Sequence, residues 1–209
     1  MSANPPLSGA PSCDVGALPL VEEWPLLPSH GIHMERLAQF GVVEIDEVLD
    51  AMRQCPRGVH GLPFPLADEV TNLEASSLRI PWWSDVSKPH SLLPGLFETC
   101  QIMQLIQIEK GNSVLLMGPR GNWWTELLMY IGAKEIVVLE PDGVRREILM
   151  QRWDELRLDI VAKAFDCSIN IIGLSELDDH TPERGFDRVL SCLLYTSDAA
   201  DEGLGVDLG

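Results

Sequence analysis

The chain has 209 residues and a mass of 23.2 kDa, the size of one ordinary domain; 45% apolar residues supply a core, and 22% charged residues argue against wholesale disorder. Its 32 acids against 15 Lys and Arg give a formal charge of −17, which argues against a general binder of nucleic acid or anionic membrane, because the field repels phosphate. No apolar run reaches the roughly 18 residues of a membrane helix, and the start Met1–Pro6 lacks the basic and apolar regions of a secretory signal. Five scattered cysteines, with no CxxC pair and no clustered histidines, fit reduced cytoplasmic thiols better than disulfides or structural zinc, so no metal ligand is assigned.

Residues 1–30 carry many Pro, Gly and Ser and little periodicity, which predicts a flexible arm. A helical region with a long loop follows over 31–110. Ile32, Leu37, Phe40 and Val43 start a helical pattern that Gly41 interrupts. Ile45, Val48, Leu49 and Met52 mark a second helix, stopped by Pro56. Residues 56–90 read as loop, with Pro63, Pro65, Pro81 and Pro89 and the pair Trp82-Trp83. From Leu92 to Gln107 an amphipathic helix returns, with Leu96, Cys100, Met103 and Ile106 on one face.

Over 111–191 the pattern changes to alternating strand and helix. Strands are predicted at Ser113–Met117, Glu135–Leu139, Ser168–Ile172 and Phe186–Ser191, and helices at Asn122–Ile131 and from Asp142 to about Leu158. Such alternation implies an α/β fold with a parallel, Rossmann-like sheet and right-handed crossovers. Gly118 ends the first strand, and Glu140 ends the second 22 positions later, close to the spacing of about twenty that separates a ligand-approaching glycine turn from a ribose-binding acid. Taken alone the pair is equally compatible with a plain turn and a helix cap. Trp82, Trp83, Trp123 and Trp124 flank the two loops of the expected cleft, and burial of the junction between helical region and sheet is their first expectation. Cys100 and Cys167 read as small core residues.

Residues 192–209, CLLYTSDAADEGLGVDLG, resemble the translation of a transposase sequencing adapter, and are set aside as an artefactual tail. Without Asp198, Asp201, Glu202 and Asp207 the formal charge moves from −17 to −13. On this expectation the native sequence is truncated near Ser191, and the fourth strand becomes a sheet edge, which favours association.

From about Met34 to Ser191 the chain resembles the protein-L-isoaspartate O-methyltransferases, class I methyltransferases that use S-adenosyl-L-methionine. The resemblance rests on Ile45–Arg53 with Cys55-Pro56-Arg57, on the loop Val86-Ser87-Lys88-Pro89-His90, on Ile108–Leu115, on Gly132–Val137 with Glu140, and on Phe186–Val189. It implies a sheet ordered third, second, first, fourth. It also implies cofactor contacts from Asp85, Val86, Ser87, His90, Gly118, Gly121 and Glu140. The implied substrate is an isoaspartyl carboxylate of a damaged protein or peptide, held by Ser87, with His90 in support. That carboxylate is already a nucleophile at neutral pH, so alignment and exclusion of water are the chemistry required. This chain departs from the family pattern where Leu116, Arg120 and Asn122 replace the first-strand acid and two loop glycines, and where Gly173-Leu174-Ser175 stands for a G-D-G turn. Two functions therefore stand side by side: cytoplasmic protein-repair methyl transfer, and a catalytically degenerate relative acting as an interaction or structural module. A nucleotide-binding oxidoreductase is third, disfavoured by the lack of G-x-G-x-x-G.

Overall fold

The structure is a computed structural model in which residues 26–61, 80–82 and 92–192 are described. Three helices open it: α1 (Leu26–Gln39), α2 (Asp46–Gln54) and the single turn α3 (Arg57–His60). α1 starts inside the segment expected to be an arm. Its inner face is His30, His33, Met34 and Leu37, all buried, at the three-and-four spacing of one helix side. Phe40, expected on that face, is 66% exposed, because the helix ends at Gln39 and Gly41 turns the chain at φ +66°. α2 buries Val48, Ala51 and Met52; Asp46 and Glu47 in its first turn and Arg53 in its last suit the helix dipole. Gln104 ties the α1–α2 turn to the next helix: its carbonyl accepts from the Glu44 and Ile45 amides, and its Nε2 donates to Val42 O.

Two short strands, β1 (Ile80–Pro81) and β2 (Leu92–Leu93), pair antiparallel, followed by α4 (Leu96–Leu105). Pro94-Gly95 delays the helix expected from Leu92, so Leu92 and Leu93 are extended. Leu96, Cys100 and Met103 are buried on α4 as expected, whereas Ile106 lies past its end and is half-buried.

The alternating half comprises β3 (Ser113–Met117), α5 (Trp123–Ile131), β4 (Glu135–Leu139), α6 (Gly143–Glu155), α7 (Leu158–Ala164), β5 (Ser168–Ile172), a 3-10 turn at Leu174–Glu176, α8 (Leu177–His180) and β6 (Arg188–Ser191). The sheet is parallel throughout, in the order β5-β4-β3-β6, as the resemblance implies. Successive side chains along β3 and β4 divide between two faces. Val114, Leu116, Ile136 and Val138 join the large core with α2, α4 and α5, while Leu115, Val137, Leu139 and Ile172 form a smaller cluster under Met117, Leu177 and Phe186. α5 buries all but Tyr130, including fully buried Trp123, Leu127, Leu128 and Met129. Each such side chain contributes about 1.5–3 kcal/mol of transfer free energy.

The helix predicted from Asp142 to about Leu158 is two helices. Asp142 caps α6 by accepting from the Arg145 amide at 2.9 Å. Arg157, at φ +53°, then turns the chain left-handed before α7 begins. Cys192 prolongs the β6 ladder by one bond, its amide donating to Met117 O. The rest of the expected tail, 193–209, lies outside the described residues. Among the described residues no helix is long and apolar enough to cross a membrane.

Candidate functional site

β3 lies where the strand order reverses, and the crevice outside the carboxyl ends of such strands is where open parallel sheets place ligands. Gly118 leaves β3 at φ +59°, with its amide bonded to Leu139 O at the end of β4. Beside it Glu140 ends β4, 1% exposed, so the turn and the acid meet at one end of the sheet. The Glu140 Oε1 accepts from the Asp142 amide at 3.0 Å. Its Oε2 lies 2.9 Å from Arg145 Nη2, a close charge contact that lacks the alignment of a hydrogen bond, and this buried oxygen has no other partner. Burial pushes the Glu140 carboxyl above its ordinary value, against the opposing pull of Arg145.

The turn over 118–122 is tied to α6. Arg145 Nη2 also donates to Pro119 O at 3.3 Å, and Asn122 Nδ2 donates to Leu149 O at 2.9 Å, so α6 fastens both sides of the loop. Gly121, at φ +88°, lies against the short hairpin: a Cβ there would stand 2.8 Å from Leu93 Cδ2 and 3.3 Å from the Trp82 ring. Gly121 is therefore glycine for a close approach of chain to chain. Arg146 closes the next strand end, with Nη1 donating to Glu140 O and standing where a Cβ on Gly173 would fall. Arg120 and Arg145 both place positive charge near Cys192, whose thiol burial pushes up to about 12.

Of the residues expected at the cofactor, Gly118 and Glu140 are thus brought together, and Gly121 joins the same loop facing Trp82 and Leu93. Asp85, Val86, Ser87 and His90 lie outside the described residues. Trp82, Trp123 and Trp124 are buried at the expected junction, with Trp123 Nε1 donating to Cys55 O and Trp124 Nε1 to Thr99 Oγ1; Trp83 lies outside the description. Cys100 and Cys167 are buried and free. Sequence reasoning missed Arg145, whose i+5 relation to Glu140 is no motif. It also missed the meeting of Cys55, His60 and Glu126 in the core, since Glu126 is 66 positions from His60.

The strand order and helix placement define a Rossmann-like fold of the class I methyltransferase type. More particularly, it is the fold of protein-L-isoaspartate O-methyltransferases. A solved protein-L-isoaspartate O-methyltransferase is similar to this chain at a TM-score of 0.54 and 13% identity, over 78% of this chain and 47% of that one. A second solved structure, a Plasmodium falciparum protein assigned as a protein-L-isoaspartate O-methyltransferase and bound to S-adenosyl-L-homocysteine, aligns at a TM-score of 0.47 and 14% identity, over 68% of this chain and 62% of that one. The chain thus spans about half to three fifths of the length of these two proteins. No protein-family model and no curated protein sequence matches it.

Proposed function

We propose that the chain is an S-adenosyl-L-methionine-dependent methyltransferase acting on protein carboxylates, with isoaspartyl residues of damaged proteins as its substrate class and the cytoplasm as its compartment. The observation that carries this reading is the buried Glu140 Oε2, an acceptor without an aligned donor, beside the Gly118 turn at the ends of adjacent parallel strands. A ribose diol supplies the donors such an oxygen lacks, so the residues present fit the nucleoside part of the cofactor. When bound, the cofactor supplies an electrophilic methyl on its sulfonium. The chain's own residues then position: Glu140 orients the ribose, and Gly118 lets backbone approach it. Ser87, by resemblance, holds the substrate carboxylate, with Asp85, Val86 and His90 alongside. The nucleophile arrives ionised, so the work of these groups is alignment and exclusion of water.

A second reading, a methyltransferase-fold module without catalysis, is favoured by the same cleft's self-contacts: Arg145 on Glu140 and Pro119, and Trp82 with Leu93 on Gly121. Calorimetric titration with S-adenosyl-L-homocysteine separates the two. The methyltransferase reading expects saturable binding by the wild type, weakened in Glu140→Ala by about 1–3 kcal/mol. Absence of binding at millimolar ligand, or binding only after Arg145→Ala, assigns the module reading instead.

A further inference from the structure

Cys55 closes α2, its amide donating to Ala51 O, and Pro56 then breaks the helix. The single turn α3 folds the chain back beneath that end, bringing His60 Nε2 to 3.7 Å from Cys55 Sγ. From the first turn of α5, Glu126 Oε2 reaches the same ring nitrogen at 2.5 Å. Sγ, Nε2 and the carboxylate oxygen lie within 4.8 Å of one another, and the three residues are only 1%, 3% and 9% exposed.

The directions of approach are informative. In a hydrogen-bonded relay, thiol and carboxylate would take opposite nitrogens of the imidazole. Here both converge on Nε2, and the buried Nδ1 has no partner. Sulfur, nitrogen and oxygen donors gathered within 4.8 Å of one another are close enough to share one coordinated cation. Tetrahedral zinc bonds of about 2.3 Å to sulfur and 2.0–2.1 Å to nitrogen or oxygen separate S and N by about 3.5 Å and N and O by about 3.3 Å. The observed S–N separation matches, and the N–O pair needs to open by under an ångström. One thiolate, one carboxylate and one neutral imidazole also balance a divalent charge, which removes the cost of an ionised carboxylate in the core.

We propose that Cys55, His60 and Glu126 form a site for one divalent transition-metal ion of the zinc kind, fastening the α2–α3 corner to α5, the helix that follows the 118–122 turn. The ion takes the place of the thiol proton, which is released to solvent on binding. The site is independent of the cofactor cleft and holds under either functional reading.

The test is titration of the chelator-treated full chain with Co²⁺ alone. One equivalent is expected to give a thiolate-to-cobalt charge-transfer band with intense visible absorption, bleached by Zn²⁺, and Zn²⁺ is expected to raise the melting temperature. Cys55→Ser removes the charge-transfer band, and His60→Gln and Glu126→Gln each weaken binding at least about tenfold, the least expected from losing a metal's partner. No charge-transfer band in the wild type overturns the proposal, whether or not a variant folds. A band that persists unchanged in Cys55→Ser also overturns it, since the metal then sits on Cys13, Cys100, Cys167 or Cys192.

Discussion

Glu140 and Arg145 face each other at 2.9 Å with side chains 1% and 11% exposed, so the acid that ends β4 is neutralised by the helix that follows it. Removing one partner of a buried pair strands the other charge, which typically costs about 3–5 kcal/mol. Arg145→Ala should destabilise the chain by that order at pH 7 in urea unfolding. The loss should shrink as pH falls. The Glu140 carboxyl already titrates above its ordinary value and rises further without Arg145, so the native state takes up the proton first and is relatively favoured as pH falls. A loss independent of pH would show that Arg145 acts through packing alone.

His30 gives a pH dependence of opposite sign. Its Nε2 meets Met52 O at 2.7 Å inside the α1–α2 contact, and burial, helped by the Arg57 and His33 charges, lowers its pKa to about 4. Below an unfolded value of about 6.5 the unfolded chain takes the proton first, so this group's stabilisation is present above that pH and lost as pH falls toward 4. The window corresponds to about 3 kcal/mol. His30→Gln should flatten the stability profile between pH 7 and 4; an unchanged slope would assign the acid sensitivity elsewhere.

Gly121 and Gly111 both adopt positive φ, at +88° and +97°, but only Gly121 has the Leu93 and Trp82 side chains where a Cβ would go. Alanine at either site incurs similar backbone strain, so the difference between the two variants isolates the close approach. Gly121→Ala should be less stable than Gly111→Ala by about 1–3 kcal/mol, the usual penalty of overpacking. Equal destabilisation would mean that the hairpin gives way freely.

Among the described residues β6 pairs only with β3, and Val189 on it is 56% exposed. An open edge with an apolar side chain templates association. Val189→Lys should reduce concentration-dependent association in size-exclusion chromatography, and a wild type that elutes as monomer at every concentration would show that this edge does not template association.

The sheet was readable because each strand is a short apolar run bounded by turn residues, and alternation with helices leaves few topologies. The tryptophan junction was readable for a similar reason, as large rings beside a helix face find few other places. The break at Arg157 was not, because no Gly or Pro marks a left-handed arginine. Phe40 was misplaced by one helical step, since apolar spacing locates a face but not the residue at which the helix stops. At the cleft, Gly118 and Glu140 carry a spacing, whereas Arg145 and Asn122, like Glu126 in the core, act through partners that only folding brings near.

At the amino end of the sheet Asp187 Oδ2 accepts from both the amide and the hydroxyl of Ser113, 74 positions away, and the Asp187 amide donates back to that hydroxyl. Ser113 meets Glu135 of β4 across only 22 positions. Closing the longer loop costs about 1 kcal/mol more chain entropy before any bond is formed. The order of assembly is thereby biased: β3 and β4 join early around α5, and β6 joins β3 later, fastened just ahead of its first residue by the Ser113–Asp187 clasp. During synthesis β3 and β4 also leave the ribosome before β6, so among the described strands spatial and temporal order run the same way.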